Sequence, residues 1–201
     1  MRGLTSHFSG DDMRKQIGNL LVATLVVSAG LIGAVSLTAQ GASKISRGAE
    51  IAPVPLNMKG LNPALVREGS YIVNAQGGCN DCHTVPSYAP GGDPFFGQPE
   101  QINTECYLAG GAAFGPFVSR NLTLSARIRT LAQFTDIMRN GTDYRVDAMG
   151  NGDGTPILQV MPWPVYGKMS DREIAAIYEF LNAIPLINPR PASCVAPPPP
   201  A

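Results

Sequence analysis

At 201 residues the chain has room for one domain and its appendages, not for several. Its 15 Lys+Arg balance 15 Asp+Glu, which excludes the strongly basic surface of a nucleic-acid binder. Charged residues reach only 15%, against 22 Gly and 18 Pro, so the expected molecule is loop-rich with a modest core.

Residues 1–16 carry Arg2, Arg14 and Lys15 and lead into a stretch without charge, Gln16 to Ser43. The apolar part, 17–39, is long enough to cross a bilayer as a helix, which takes about 20 apolar residues. A cleaved secretory signal has a shorter apolar region, about 7–15 residues, closed by small residues. Ala39-Gln40-Gly41 offers such a site, so a leader stays open as a reading, while the length favours an anchor. Residues 40–61, with Pro53, Pro55 and Gly60, read as a linker.

Asn62-Pro63 opens a helix, because asparagine caps and proline is tolerated at the first helical position. Leu65, Gly69 and Ile72 fall on one face, and the helix should end near Gly77-Gly78. Gly69 weakens that helix, which makes sense where another helix crosses at close range.

Directly after it stands Cys79-Asn80-Asp81-Cys82-His83. Two cysteines two residues apart, followed at once by histidine, form the arrangement that attaches a c-type haem. Each thiol adds across one vinyl group of the porphyrin, and the adjacent imidazole then reaches the iron as proximal ligand. A bare Cys-x-x-Cys would leave a redox dithiol or half a zinc site open. The histidine points instead to one covalently attached haem c, whose bulk would add apolar volume to a modest core. Such attachment occurs outside the cytoplasm, so this domain is expected on the periplasmic side of the inner membrane.

From 84 to 129 Gly, Pro and aromatics dominate, with no convincing strand beyond a short hairpin near 105–120. Thr130-Leu131-Ala132-Gln133 reads as a capping box, with Phe134, Ile137 and Met138 as the buried face and Gly141 as C-terminal cap. Residues 147–155 superficially resemble a calcium loop, but the terminal glutamate and full ligand alternation are missing, so a plain turn is expected. Ser170-Asp171-Arg172-Glu173 is a second capping box. Ile174, Ile177, Tyr178 and Leu181 follow as an apolar stripe that suits the crossing at Gly69, and Pro185 ends the helix. The tail 186–201, with its run Pro197 to Pro200, reads as extended.

The second face of the iron needs a ligand. The chain has two histidines, and His7 precedes the apolar span, so a second imidazole is excluded. Methionine is the natural candidate, since a thioether raises the potential and leaves a closed, electron-transferring iron. Met138 reads as core filler, Met149 lies in a Gly-rich turn, and Met169 adjoins a helix cap. Met161 is favoured, because Pro162-Trp163-Pro164 makes a rigid aromatic segment that can pin it against the ring. Cys106 and Cys194 are left as an even pair, expected as a disulfide in an oxidising compartment.

Together with Leu108-Ala109-Gly110-Gly111 and Ser119-Arg120-Asn121-Leu122-Thr123, these motifs resemble the class I cytochrome c family. The resemblance covers roughly 62–185 and is narrower toward the cytochrome subunits and domains of membrane-bound alcohol, aldehyde and sugar dehydrogenases. It implies a small all-α helical fold around one haem, preceded here by a single N-terminal transmembrane helix. Met161 is its implied axial ligand, and Arg120 and Asn121 are implied to lie near the haem propionates or their loop. Those dehydrogenase subunits often carry three haems and this chain has one motif. An oxidase or a photosynthetic reaction centre therefore stands beside a membrane dehydrogenase as the expected partner.

The function expected is a membrane-anchored carrier of single electrons in an electron-transport chain, not an enzyme. A haem-bearing structural or sensory subunit of a larger redox complex is the alternative that the anchor and proline tail permit. A haem peroxidase is the other, and it needs an open sixth position with distal acid-base groups.

Overall fold

The computed structural model describes residues 43–144 and 157–195. The expected span 17–39, the small-residue site at 39–41, His7, Met149 in its Gly-rich turn and the proline run 197–200 lie outside the described residues. The chain divides between Ser43 and Lys44 into two units, and all that follows concerns the second.

Asn62 accepts hydrogen bonds from the Ala64 and Leu65 N–H groups and starts α1 (Pro63–Tyr71). A π-helical stretch, Ile72–Gln76, carries the same helix onward and closes with Gly77 N–H donating to the Ile72 carbonyl at 2.7 Å. The motif forms α2 (Cys79–His83), and Asn121 caps the short α3 (Leu122–Ser125). Thr130 and Gln133 exchange the two bonds of a capping box at the start of α4 (Leu131–Asn140), which ends on Gly141 at a φ of 68°. After α5 (Trp163–Tyr166), a second capping box between Ser170 and Glu173 opens α6 (Asp171–Ala183).

The principal packing is α1 across α6. A methyl group on Gly69 would lie 1.9 Å from the Ala176 carbonyl oxygen, so only glycine lets the two backbones meet there. Val66, Ile72 and Val73 of the first helix join Ile174, Phe180 and Leu181 of the last in one core cluster. Phe134 and Met138 extend that core into α4.

The expectation of an all-α fold preceded by a single N-terminal transmembrane helix is corrected. Strands β1 (Ala113–Phe114) and β2 (Phe117–Val118) pair antiparallel, with Ala113 opposite Val118 and Phe114 opposite Phe117. Gly115, at a φ of 60°, opens the two-residue connection, where positive φ gives a twist that suits a tight hairpin. Among the described residues no helix is long and apolar enough to cross a membrane. The α6 helix, at 13 residues, falls well short of the about 20 required.

The expected linker is packed over much of its described length. Residues 44–50 are helical, and a methyl group on Gly48 would sit 1.9 Å from the Arg67 carbonyl oxygen of α1. Farther on, Asn57 N–H donates to the Ala183 carbonyl at 2.9 Å, and Val54, Leu56 and Met58 rest against the core.

Candidate functional site

A single helical turn brings residues three and four apart to the same side. In α2 that rule turns Cys79, Cys82 and His83 toward one cavity. Gly78, at a φ of 57°, sets the entry angle of the turn. The cavity measures about 160 Å³ and is open to solvent on one side. Its wall is largely apolar: Ile72, Phe134 and Ile177 come from the three main helices, Phe114 and Val118 from the hairpin.

His83 is held at both ends. Its carbonyl accepts from Gly110 N–H at 2.7 Å, and its Nδ1 lies 2.8 Å from the Arg120 carbonyl oxygen. A carbonyl can only accept, so Nδ1 carries the proton and Nε2 keeps its lone pair free for a metal. Burial pushes the imidazole pKa down to about 4, which keeps the ring neutral at physiological pH. This is the tautomer and charge state that an iron ligand needs.

The two motif cysteines are free thiols, while Cys106 and Cys194 are joined in a disulfide. Burial raises the Cys79 pKa to about 12 and pushes Cys82 up as well. A catalytic Cys-x-x-Cys pair works by a lowered thiol pKa, the opposite direction. Among the described residues no group of three or more His, Cys, Asp or Glu is placed to hold a metal ion. An apolar cavity offering two thiols and one neutral imidazole fits a covalently held haem.

Met161 lines the same cavity, as do Met138 and Met169. The Met161 segment is tied to the motif: Tyr166, five residues on, donates its hydroxyl to the Gly77 carbonyl at 2.7 Å. Trp163 does not line the cavity. It packs on Gly141, where an added methyl would come within 2.5 Å of the indole, and its Nε1 donates to the Leu158 carbonyl at 3.2 Å. Trp163 therefore fixes the turn that carries Met161 rather than covering a ring.

Arg120 and Asn121, implied by the resemblance to lie near the haem propionates or their loop, have different surroundings. The Arg120 side chain lines the cavity and donates to both carboxylate oxygens of Asp143 at 2.9 Å, while its backbone carbonyl holds His83. Asn121 is absent from the wall. Its side chain accepts from Leu124 N–H and from the Thr123 hydroxyl, and donates to the Ile187 carbonyl at 2.7 Å, so its role is to cap α3 and hold the tail. Sequence reasoning missed Tyr166, Gly110 and Arg129 as parts of the site. Gly110 alone left a trace, in the Gly-Gly pair at 110–111.

No protein-family model, no curated protein and no solved structure matches the chain.

Proposed function

We propose that the chain is a monohaem c-type cytochrome of the class I family that carries single electrons. Haem c would be attached through Cys79 and Cys82, with His83 and Met161 as iron ligands. The observation that carries this reading is the convergence of all four side chains on one apolar cavity, with His83 Nδ1 already committed to a carbonyl. The bound haem would supply a one-electron iron couple. His83 offers Nε2, and the Arg120 carbonyl keeps that ring in a single orientation through the exchange. Met161 offers a soft thioether, steadied by Trp163 on Gly141 and by Tyr166 on Gly77. The apolar wall keeps water away, which limits the solvent rearrangement that accompanies each electron. The disulfide and thioether chemistry both suit an extracytoplasmic compartment. A membrane dehydrogenase, oxidase or reaction centre is proposed as partner, to be identified by what copurifies.

The test is spectroscopic. Acid-acetone extraction of the denatured protein should leave its colour on the polypeptide; a colourless chain would end the proposal. The oxidised protein should show the weak far-red band of a methionine-ligated iron. That band should vanish in Met161→Ala and persist in Met169→Ala and Met138→Ala. Rapid carbon monoxide binding to the native reduced protein would instead favour an open-site enzyme.

A further inference from the structure

Two phenylalanines face solvent at the tip of the long loop that follows α2. Phe95 and Phe96, in the 3-10 turn Pro94–Phe96, are 84% and 80% exposed. The turn is nevertheless well fastened. Asp93 Oδ1 accepts from Phe95 N–H at 2.9 Å, and the Asp93 carbonyl accepts from Phe96 and Gln98 N–H at 3.1 and 3.2 Å. Gln98 Oε1 in turn accepts from Asp93 N–H at 2.9 Å. Below the turn, Ala89 N–H donates to the Gln101 carbonyl at 2.8 Å, and Gln101 N–H to the Gly92 carbonyl at 2.9 Å. Burying a phenyl ring is strongly favourable, yet this loop holds two of them in water. Being ordered already, it has little freedom left to lose on binding.

The surroundings are acidic. The sequence has no Lys or Arg between Arg67 and Arg120, a stretch that holds Glu68, Asp81, Asp93, Glu100 and Glu105 in a chain neutral overall. Tyr88 meets Phe95 edge-on, with ring centroids 6.4 Å apart. Its pKa is pushed up by desolvation and then by Asp81, Glu100 and Asp93, so these three carboxylates gather beside the aromatic tip. Asp81 stands exposed between the two motif cysteines, which brings the patch to the border of α2. None of Tyr88, Phe95 and Phe96 lines the cavity.

We propose that Phe95 and Phe96 anchor a partner protein that offers an apolar pocket rimmed by Lys or Arg. Aromatic anchors within a polar rim are the pattern of a specific interface, and opposite charge on the partner speeds encounter. The acidic setting disfavours two other occupants. Anionic headgroups of a bilayer attract basic segments and repel carboxylates. A two-fold contact with a second copy would set the same carboxylates against themselves. The inference holds whatever the cavity contains.

The test uses membranes of the native host carrying the full chain. A water-soluble carbodiimide condenses a carboxylate and a lysine amine to an amide only where the two touch. Peptide mapping should join Asp81, Asp93 or Glu100 to a lysine of a different protein. Phe95→Ser/Phe96→Ser should cut that yield by about tenfold, as truncation of aromatic anchors does. Its melting temperature should stay native, because both rings are exposed. Glu100→Lys should lower the coupling at Asp81 and Asp93, and high salt before coupling should do the same. A joined protein supports the inference only when its lysine maps to one of the three carboxylates and the phenylalanine pair is required. A yield indifferent to that pair would overturn it, as would coupling to a second copy of this chain alone, or no product at all. So would 19F-phenylalanine signals of Phe95 and Phe96 that move when vesicles of phosphatidylcholine and phosphatidylglycerol are added, since a bilayer would then be the occupant.

Discussion

Gly110 braces the proposed iron ligand from both sides. Its N–H holds the His83 carbonyl, and its Cα lies against the backbone that holds His83 Nδ1: a methyl there would fall 2.5 Å from the carbonyl carbon and oxygen of Arg120. The residue also sits at a φ of 72°, which L side chains rarely adopt. Gly110→Ala should therefore cost about 3 kcal/mol, combining left-handed strain with overpacking. The displaced Arg120 carbonyl would weaken the bond that enriches the imidazole with electron density, so the reduction potential should rise. Gly97 supplies the control, since it holds a φ of 74° with nothing within 4 Å of its added methyl. Gly97→Ala should lose only about 1 kcal/mol and leave the potential unchanged. Equal potentials in the two variants would remove Gly110 from the site. The glycine pair was visible in the sequence, but what it admits is a backbone carbonyl from ten residues away, and no residue type encodes a carbonyl.

Among the elements, the crossing of α1 and α6 decides whether the cavity exists, because both helices furnish its floor. Gly69→Ala puts a methyl 1.9 Å from the Ala176 carbonyl oxygen, so the helices must part. A loss of about 3 kcal/mol is expected, the upper end for overpacking. In a domain of this size that lowers the melting temperature by roughly 6–12 °C. Ser170→Ala removes one cap at the exposed start of α6 and should cost only about 1 kcal/mol. Thermal unfolding of both variants checks the order, and a milder effect at Gly69 than at Ser170 would contradict the close crossing. Caps and glycines made these helices legible, since Asn62, Thr130, Ser170 and Gly141 act through local bonds that sequence spacing records. The packed part of the linker was harder to read. Prolines at 53 and 55 mark an irregular backbone, yet Val54, Leu56 and Met58 alternate as one apolar face, and that period of two was outweighed by the breakers. The hairpin at 113–118 is so short that its two-residue strands leave almost no alternation to detect.

For the molecule as a whole, the four cysteines must be sorted, since one bridge can form among them in six ways and only Cys106–Cys194 is present. Cys106 and Cys194 are fully buried and close a separation of 88 residues, while Cys79 and Cys82 remain thiols in the cavity wall. The bridge fastens the segment after α6 to the loop 105–111, the same loop that ends in Gly110. Glu105 reinforces it by accepting from the Ser193 hydroxyl at 3.1 Å, and a methyl on Gly111 would meet the Cys194 carbonyl oxygen at 2.4 Å. Cysteine count and compartment made the pairing readable; its proximity to the His83 support was not, because that depends on how 84–111 folds back. Loss of the bridge should act mainly on the unfolded chain, whose freedom it restricts by about 4–5 kcal/mol for a loop of this length. The double variant Cys106→Ser/Cys194→Ser should accordingly melt at least roughly 10 °C lower. Well below that midpoint its far-red band should match the native protein, because Thr84, Gly110 and Leu122 still hold the loop through hydrogen bonds to Leu108 N–H, the His83 carbonyl and the Leu108 carbonyl. An unchanged melting temperature would mean that the tail is held without the bridge, and loss of the band at 25 °C would make the bridge part of the ligand support itself.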